Sequence, residues 1–118
     1  MKVCVYGAGA IGGHIGALLA QGDTEVSLVA RGAHLEAIKR DGLRLRVGAD
    51  ETVAKVPASD DPATLGVQDY VIVTLKAHQL AGAVDAMQPL LGPETAVVTA
   101  MIVGLAVVLW GSSAFRDA

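Results

Sequence analysis

Hydrophobic and polar positions alternate along this chain in two different periods. Lys2–Tyr6 (KVCVY) is short, apolar and partly β-branched, and it stops at glycine, which predicts a buried strand. Over Ala10–Gln21, Ile11, Ile15, Leu18 and Leu19 recur at helical spacing until Gly22-Asp23 breaks the pattern. Glu25–Ala30 (EVSLVA) predicts a second strand. Ala33–Asp41 predicts a short helix with Leu35 and Ile38 inward and Gly42 after it.

The middle of the chain changes style. Leu43–Val47 alternates leucine with arginine, Gly48-Ala49-Asp50 predicts a turn, and Glu51–Val56 returns. That is a hairpin with one solvated face. Ser59-Asp60-Asp61-Pro62 is a helix-start cluster, with Pro62 suited to the first turn. Asp60-Asp61 is therefore taken as a cap rather than as a metal or paired-carboxylate site. Asp69–Leu75 (DYVIVTL) is the most continuous buried strand. His78–Leu91 predicts a helix whose regular part ends near Pro89; Gly92-Pro93 is a break, and Thr95–Ala100 is a last strand.

Strands that alternate with helices imply parallel pairing through crossover helices. The predicted fold class is α/β: a Rossmann-like, doubly wound, mostly parallel sheet with helices on both faces. With 118 residues, 53% of them hydrophobic and 18% charged, the chain has the material for one packed domain. Nine basic against twelve acidic residues leave no surplus for a nucleic-acid backbone, so no nucleic-acid partner is expected. Cys4 is the lone cysteine, which excludes an intramolecular disulfide and suits a reducing, cytoplasmic location.

Two apolar stretches bear on targeting. The N-terminal one is interrupted by Gly7, Gly9, Gly12 and Gly13 and lacks the continuous core of a secretory signal. The stretch from Thr95 to Phe115 carries no charge, but Gly104, Gly111, Ser112 and Ser113 dilute it and its start predicts a strand. No membrane partner is expected.

The fourteen glycines matter through their placement. Gly7-Ala8-Gly9-Ala10-Ile11-Gly12 is G-x-G-x-x-G between a predicted strand and a predicted helix, the context a dinucleotide fingerprint requires. Gly7 allows the tight turn, Gly9 lets a pyrophosphate approach the backbone, and Gly12 lets the helix pack closely. Free N–H groups at the helix start, aided by its dipole, then face the diphosphate. Gly12 and Gly16 share one helix face and favour close approach to the sheet, while His14 is expected in solvent.

A dinucleotide site reads the adenine ribose about 20 residues beyond the glycines, where NAD enzymes place Asp or Glu. This chain has Val29-Ala30-Arg31-Gly32, with no carboxylate between Ser27 and Leu35. A permanently charged guanidinium suits a 2′-phosphate, so NADP is favoured over NAD. Lys76, just past the strand of Asp69–Leu75, stands where ligand crevices form. It can meet a cofactor phosphate or a substrate carboxylate, or be a solvated strand end. His78 and Gln79 open the following helix.

Together, KVCVYGAGAIGG, VARGAHL, DGLRLR and VIVTLKAHQ resemble the ketopantoate reductase (2-dehydropantoate 2-reductase) family of pantothenate biosynthesis. The resemblance covers about residues 1–101, its NADP-binding Rossmann domain. It implies NADPH-dependent reduction of a small-molecule 2-oxo acid. It assigns Gly7, Ala8, Gly9, Ala10, Ile11 and Gly12 to the pyrophosphate and Arg31 to the 2′-phosphate, and it sets Lys76 near cofactor and substrate with Gln79 beside it.

Residues 102–118 match nothing in the family. Ile102 or its neighbour stands where the family has an Asn-Gly pair, and the family's C-terminal helical domain, with its catalytic lysine, is absent. A shifted reading frame, a truncation or a diverged stand-alone domain would each leave such a tail. No catalytic residue is assigned within this chain, and no metal. The expectation is a cofactor-binding domain without turnover of its own, or alternatively a non-catalytic dinucleotide-sensing module acting with a partner chain. Surface left by the missing domain would favour a homo-oligomer.

Overall fold

The computed structural model describes residues 1–7 and 9–99. In chain order the elements are β1 (Lys2–Tyr6), α1 (Ala10–Ala20), β2 (Glu25–Val29), α2 (Gly32–Asp41), β3 (Leu43–Val47), β4 (Asp50–Ala54), β5 (Ala58–Ser59), β6 (Gln68–Val73), α3 (Ala77–Ala86) and β7 (Leu91–Thr99). Short 3-10 turns at Pro62–Thr64 and Gln88–Leu90 complete the set. Five parallel strands form one sheet in the order β5-β2-β1-β6-β7, and β3 with β4 forms a separate antiparallel hairpin.

β1 lies in the middle of the sheet, where both faces are covered, and its apolar run follows from that. Val5 and Leu28 point to one face and meet Ala17, Leu35, Ile38, Leu43 and Leu45 from α1, α2 and the hairpin. Cys4, Tyr6, Val71 and Val73 point to the other and meet Ala83, Met87 and Leu90 from α3 and the turn after it. Each buried Val or Leu contributes roughly 1.5–3 kcal/mol. Helices thus cover both faces, as the predicted fold class requires.

Several details depart from the sequence pattern. Of the residues at helical spacing in α1, Ile15 packs against the core, whereas Ile11 and Leu18 are 42% and 48% exposed. Small residues take the inward face instead. A Cβ on Gly16 would sit 3.1 Å from Leu28 Cδ2 and 3.2 Å from Leu43 Cδ1, so α1 lies too close to its neighbours for bulky side chains there.

β6 ends at Val73 rather than Leu75, which leaves Thr74 and Leu75 in the following connection. The break expected at Gly92-Pro93 lies inside β7. There the pairing slips from Gln68↔Leu91 to Tyr70↔Ala96, and Thr95 Oγ1 bridges the irregularity. It accepts from Gly92 N–H at 2.8 Å and donates to the Gln68 carbonyl at 2.6 Å. Proline is tolerated where a ladder is already interrupted.

The helix expected over His78–Leu91 is shorter, giving way to a 3-10 turn around Pro89. The return strand of the hairpin ends at Ala54. The two-residue β5 was not anticipated; two residues carry no readable period. Asp61 caps the turn at Pro62–Thr64, its Oδ1 accepting from Ala63 N–H at 3.1 Å. Among the described residues no helix is long and apolar enough to cross a membrane. Ala8, Ile102 and the whole 102–118 segment lie outside the described residues.

Candidate functional site

The carboxyl ends of β1, β2 and β6 converge on one cavity of about 320 Å³. Backbone bonds hold its rim together: Gly7 N–H donates to the Val29 carbonyl at 3.0 Å, and Thr74 N–H donates to the Tyr6 carbonyl at 3.0 Å. The chain leaves β1 through Gly7 at φ +100, a conformation that side chains disfavour. A Cβ at Gly7 would also lie 2.8 Å from Leu75 Cδ2.

The three motif glycines do different work. Gly9 caps α1 at φ −68 and ψ −165 and supplies no side-chain cap. The first turn of α1 carries no acidic residue, so the N-terminal N–H groups and the positive end of the helix dipole are available to an anion. A Cβ on Gly9 would meet no atom within 4 Å, which leaves room there for a bound group. A Cβ on Gly12 would collide with the Gly7 carbonyl oxygen and lie 2.6 Å from Thr74 Oγ1. Gly12 therefore packs against the turn itself, while Gly16 makes the close approach to the sheet. Ala10 and Ile11 open α1, with Ile11 half-exposed.

Arg31 stands at the opposite wall as the N-cap of α2, exposed, with no side-chain cap and no acid in the first turn of that helix. Burial pushes the Tyr6 phenol above its ordinary pKa; the Arg31 charge opposes that push and Cys4 adds slightly to it. Lys76 caps α3 from the third side and is exposed. Gln79 lines the same cavity, but its Oε1 accepts from Lys76 N–H at 3.1 Å, while Gln79 N–H donates to the Lys76 carbonyl at 2.9 Å. Gln79 thus closes the start of α3 and keeps its amide Nε2 for other contacts.

Gly7, Gly9, Arg31, Lys76 and Gln79 are thereby brought around one cavity that no carboxylate lines among the described residues. Three further residues join them that the sequence did not single out: Tyr6, Thr74 and His34. Thr74 Oγ1 donates to the Gly7 carbonyl oxygen and lies 3.3 Å from that of Tyr6. The available signal was a hydroxyl between the buried run of β6 and the lysine. His34, one helical turn after Arg31, also lines an adjoining cavity of about 470 Å³ that runs between α1, α2 and β3. His14 lies exposed on α1, as expected. Cys4 is fully buried, and its thiol is pushed up to about 11 by burial, a shift that the neighbouring Ser27 hydroxyl opposes. It is a core residue, far from nucleophilic behaviour at neutral pH.

Residues 3–101 match the family model of ketopantoate reductase PanE/ApbA. A 2-dehydropantoate 2-reductase of Mesorhizobium japonicum is 54% identical over 100 residues, covering 84% of this chain and 31% of that one. A crystal structure of a PanE/ApbA family ketopantoate reductase from Ralstonia eutropha JMP134 shares 38% identity at a TM-score of 0.79. The match covers 86% of this chain and 34% of that one. D-mandelate dehydrogenase, in a ternary structure with NADH and anilino(oxo)acetate, is 29% identical at a TM-score of 0.77. That match covers 94% and 37% of the two chains. The chain spans about a third of the length of the relatives it matches.

Proposed function

The chain belongs to the PanE/ApbA ketopantoate reductase family, and from that membership we propose that it is the NADP(H)-binding part of a 2-oxo acid reductase. Residues 1–101 are the cofactor unit in this reading. The observation that carries it is the cavity where the uncapped start of α1 faces Arg31 and Lys76 with no carboxylate lining it among the described residues.

A diphosphate seats on the N–H groups at Gly9 and the first turn of α1, where the helix dipole and the absent side chain favour it. Arg31 meets the adenosine 2′-phosphate; its planar fork can pair two oxygens at once. The D-mandelate dehydrogenase neighbour holds NADH, so a dinucleotide is common ground, and Arg31 supports the phosphorylated form here. Lys76, at the carboxyl end of β6, lies where an ammonium can neutralise a cofactor phosphate or a substrate carboxylate.

When bound, the reduced nicotinamide supplies the hydride that turns a 2-oxo acid into a 2-hydroxy acid. The chain's own residues bind and orient; none of them is assigned the protonation of the new alkoxide. Reduction of 2-dehydropantoate in pantothenate synthesis, in the cytoplasm, is the setting that the family membership supports. The half-exposed Ile11 and Leu18 support contact with a second copy or with further protein.

Calorimetric titration with NADP(H) and NAD(H) tests the reading. Tighter binding of NADP(H) is expected; equal affinities, or tighter NAD(H), would overturn the cofactor assignment.

A further inference from the structure

We propose that Thr74 is a positioning residue for the diphosphate, acting through the Gly7 carbonyl rather than by touching the ligand. The inference rests on the dinucleotide reading of this cavity. Three of its polar contacts reach the end of β1 from the end of β6. Its N–H donates to the Tyr6 carbonyl at 3.0 Å. Its hydroxyl reaches the carbonyl oxygens of both Tyr6, at 3.3 Å, and Gly7. A hydroxyl has one proton, and Gly7 offers the nearer acceptor, so the side chain holds the first carbonyl of the glycine turn.

That carbonyl is also what Gly12 packs against. A Cβ added to Gly12 would meet the Gly7 oxygen and would lie 2.6 Å from Thr74 Oγ1. The Thr74 hydroxyl, the Gly7 carbonyl and the Gly12 backbone therefore form one three-way contact between β6, the turn and α1. It sets where the start of α1 stands relative to the end of β1. The free N–H groups of that helix start are the proposed diphosphate seat, and a small displacement of their geometry weakens every bond to it at once.

Bulk packing does not explain the residue. Thr74 is half-buried, and its hydroxyl is turned toward the carbonyls at the end of β1. A hydrophobic residue would fill the same place against Leu75 but would leave the Gly7 carbonyl without its partner. Arg31, on the far wall, is not in this network, so the two ends of a dinucleotide should respond separately to Thr74.

The test uses the full chain and the variants Thr74→Ala and Thr74→Ser. Each is titrated with NADP(H) and with 2′-AMP, which carries the 2′-phosphate but no diphosphate, and unfolded in urea. Thr74→Ala should weaken NADP(H) roughly five- to tenfold, the scale of one lost hydrogen bond, and leave 2′-AMP within about twofold. Thr74→Ser, which restores the donor, should recover NADP(H) affinity to within about twofold. Wild-type affinity for NADP(H) in Thr74→Ala would overturn the proposal. So would equal weakening of both ligands alongside a matching loss of stability, because that marks a general loosening. If the unaltered chain bound neither ligand, the dinucleotide reading itself would fall, and this proposal with it.

Discussion

Replacing Gly9 with valine separates a glycine that a ligand needs from one that the fold needs. The structure supplies the size of each effect. Gly9 sits at φ −68 and ψ −165, extended backbone that any residue adopts, and an added Cβ meets no atom within 4 Å. Stability should therefore fall by no more than about 1 kcal/mol, the scale of placing a β-branched residue at an N-cap. The new side chain projects from the helix start into the space where the diphosphate would seat. A ligand pushed off those N–H groups loses several charge-assisted bonds, so affinity should fall by at least about 100-fold, or roughly 2.7 kcal/mol. Gly12→Ala is the control with the opposite signature. Its methyl would collide with the Gly7 carbonyl and Thr74 Oγ1, which should cost about 1–3 kcal/mol of stability or more. Urea unfolding and calorimetric titration on the same samples measure both. A Gly9→Val chain that bound NADP(H) with unchanged Kd would refute the reasoning, because it would show that the turn opens onto nothing.

Arg31→Ala should cost about 1.5–3 kcal/mol of NADP(H) affinity, the scale of a hydrogen bond to a charged group, and leave NAD(H) nearly unchanged; equal losses for both cofactors would remove the 2′-phosphate role. Burial raises the Cys4 thiol from an ordinary 9.0 to about 11, so its contribution is fully present below pH 9 and is lost as pH rises toward 11, where the unfolded chain has already ionised. That loss is at most about 2–3 kcal/mol, and Cys4→Ala should flatten the alkaline limb of a stability–pH curve; an unchanged slope would count against it. The same burial should keep the thiol unreactive to Ellman's reagent until the chain unfolds. Finally, this chain alone should show no steady oxidation of NADPH with ketopantoate, since rate needs groups placed around the transition state and the described cavity residues are read as binding and orienting groups; turnover that vanished in Lys76→Ala would contradict that.

Most of the architecture could be read in advance because β1, β2 and the Val71–Val73 part of β6 carry apolar runs that reach both faces of the sheet. Runs of that kind mark strands covered on both faces, as in a parallel sheet under helices. The hairpin was legible for the opposite reason: Leu43 and Leu45 go in while Arg44 and Arg46 stay out. Misreadings cluster where backbone geometry overrides side-chain period. Ile11 and Leu18 of α1 point outward because Gly12, Gly16 and Ala17 let the helix lie against the turn, the sheet and the hairpin, and periodicity scores a glycine as nothing. Gly92-Pro93 looked like an end of structure but sits within β7, since Thr95 satisfies the groups that the irregular register leaves unpaired.

The candidate site divides along the same line. Glycines and cations at fixed offsets can be recognised in a string of letters, because their chemistry belongs to the residue itself: absence of a side chain, or a permanent charge. Thr74 and His34 have no such mark. A threonine at a strand end is commonplace, and its importance arises only when the end of β6 is brought beside Gly7, a residue 67 positions away. Tyr6 is similar; it reads as one more apolar position in β1 until Arg31 is found close enough to act on its hydroxyl. Residues that bind by their own chemistry are thus visible early, while those that place other groups become visible only with the contacts. The glycine pattern alone would accept any residue at position 74. The geometry instead demands a small donor there, since one oxygen must reach the Gly7 carbonyl while leaving room for Gly12, and threonine and serine are the side chains that meet both conditions.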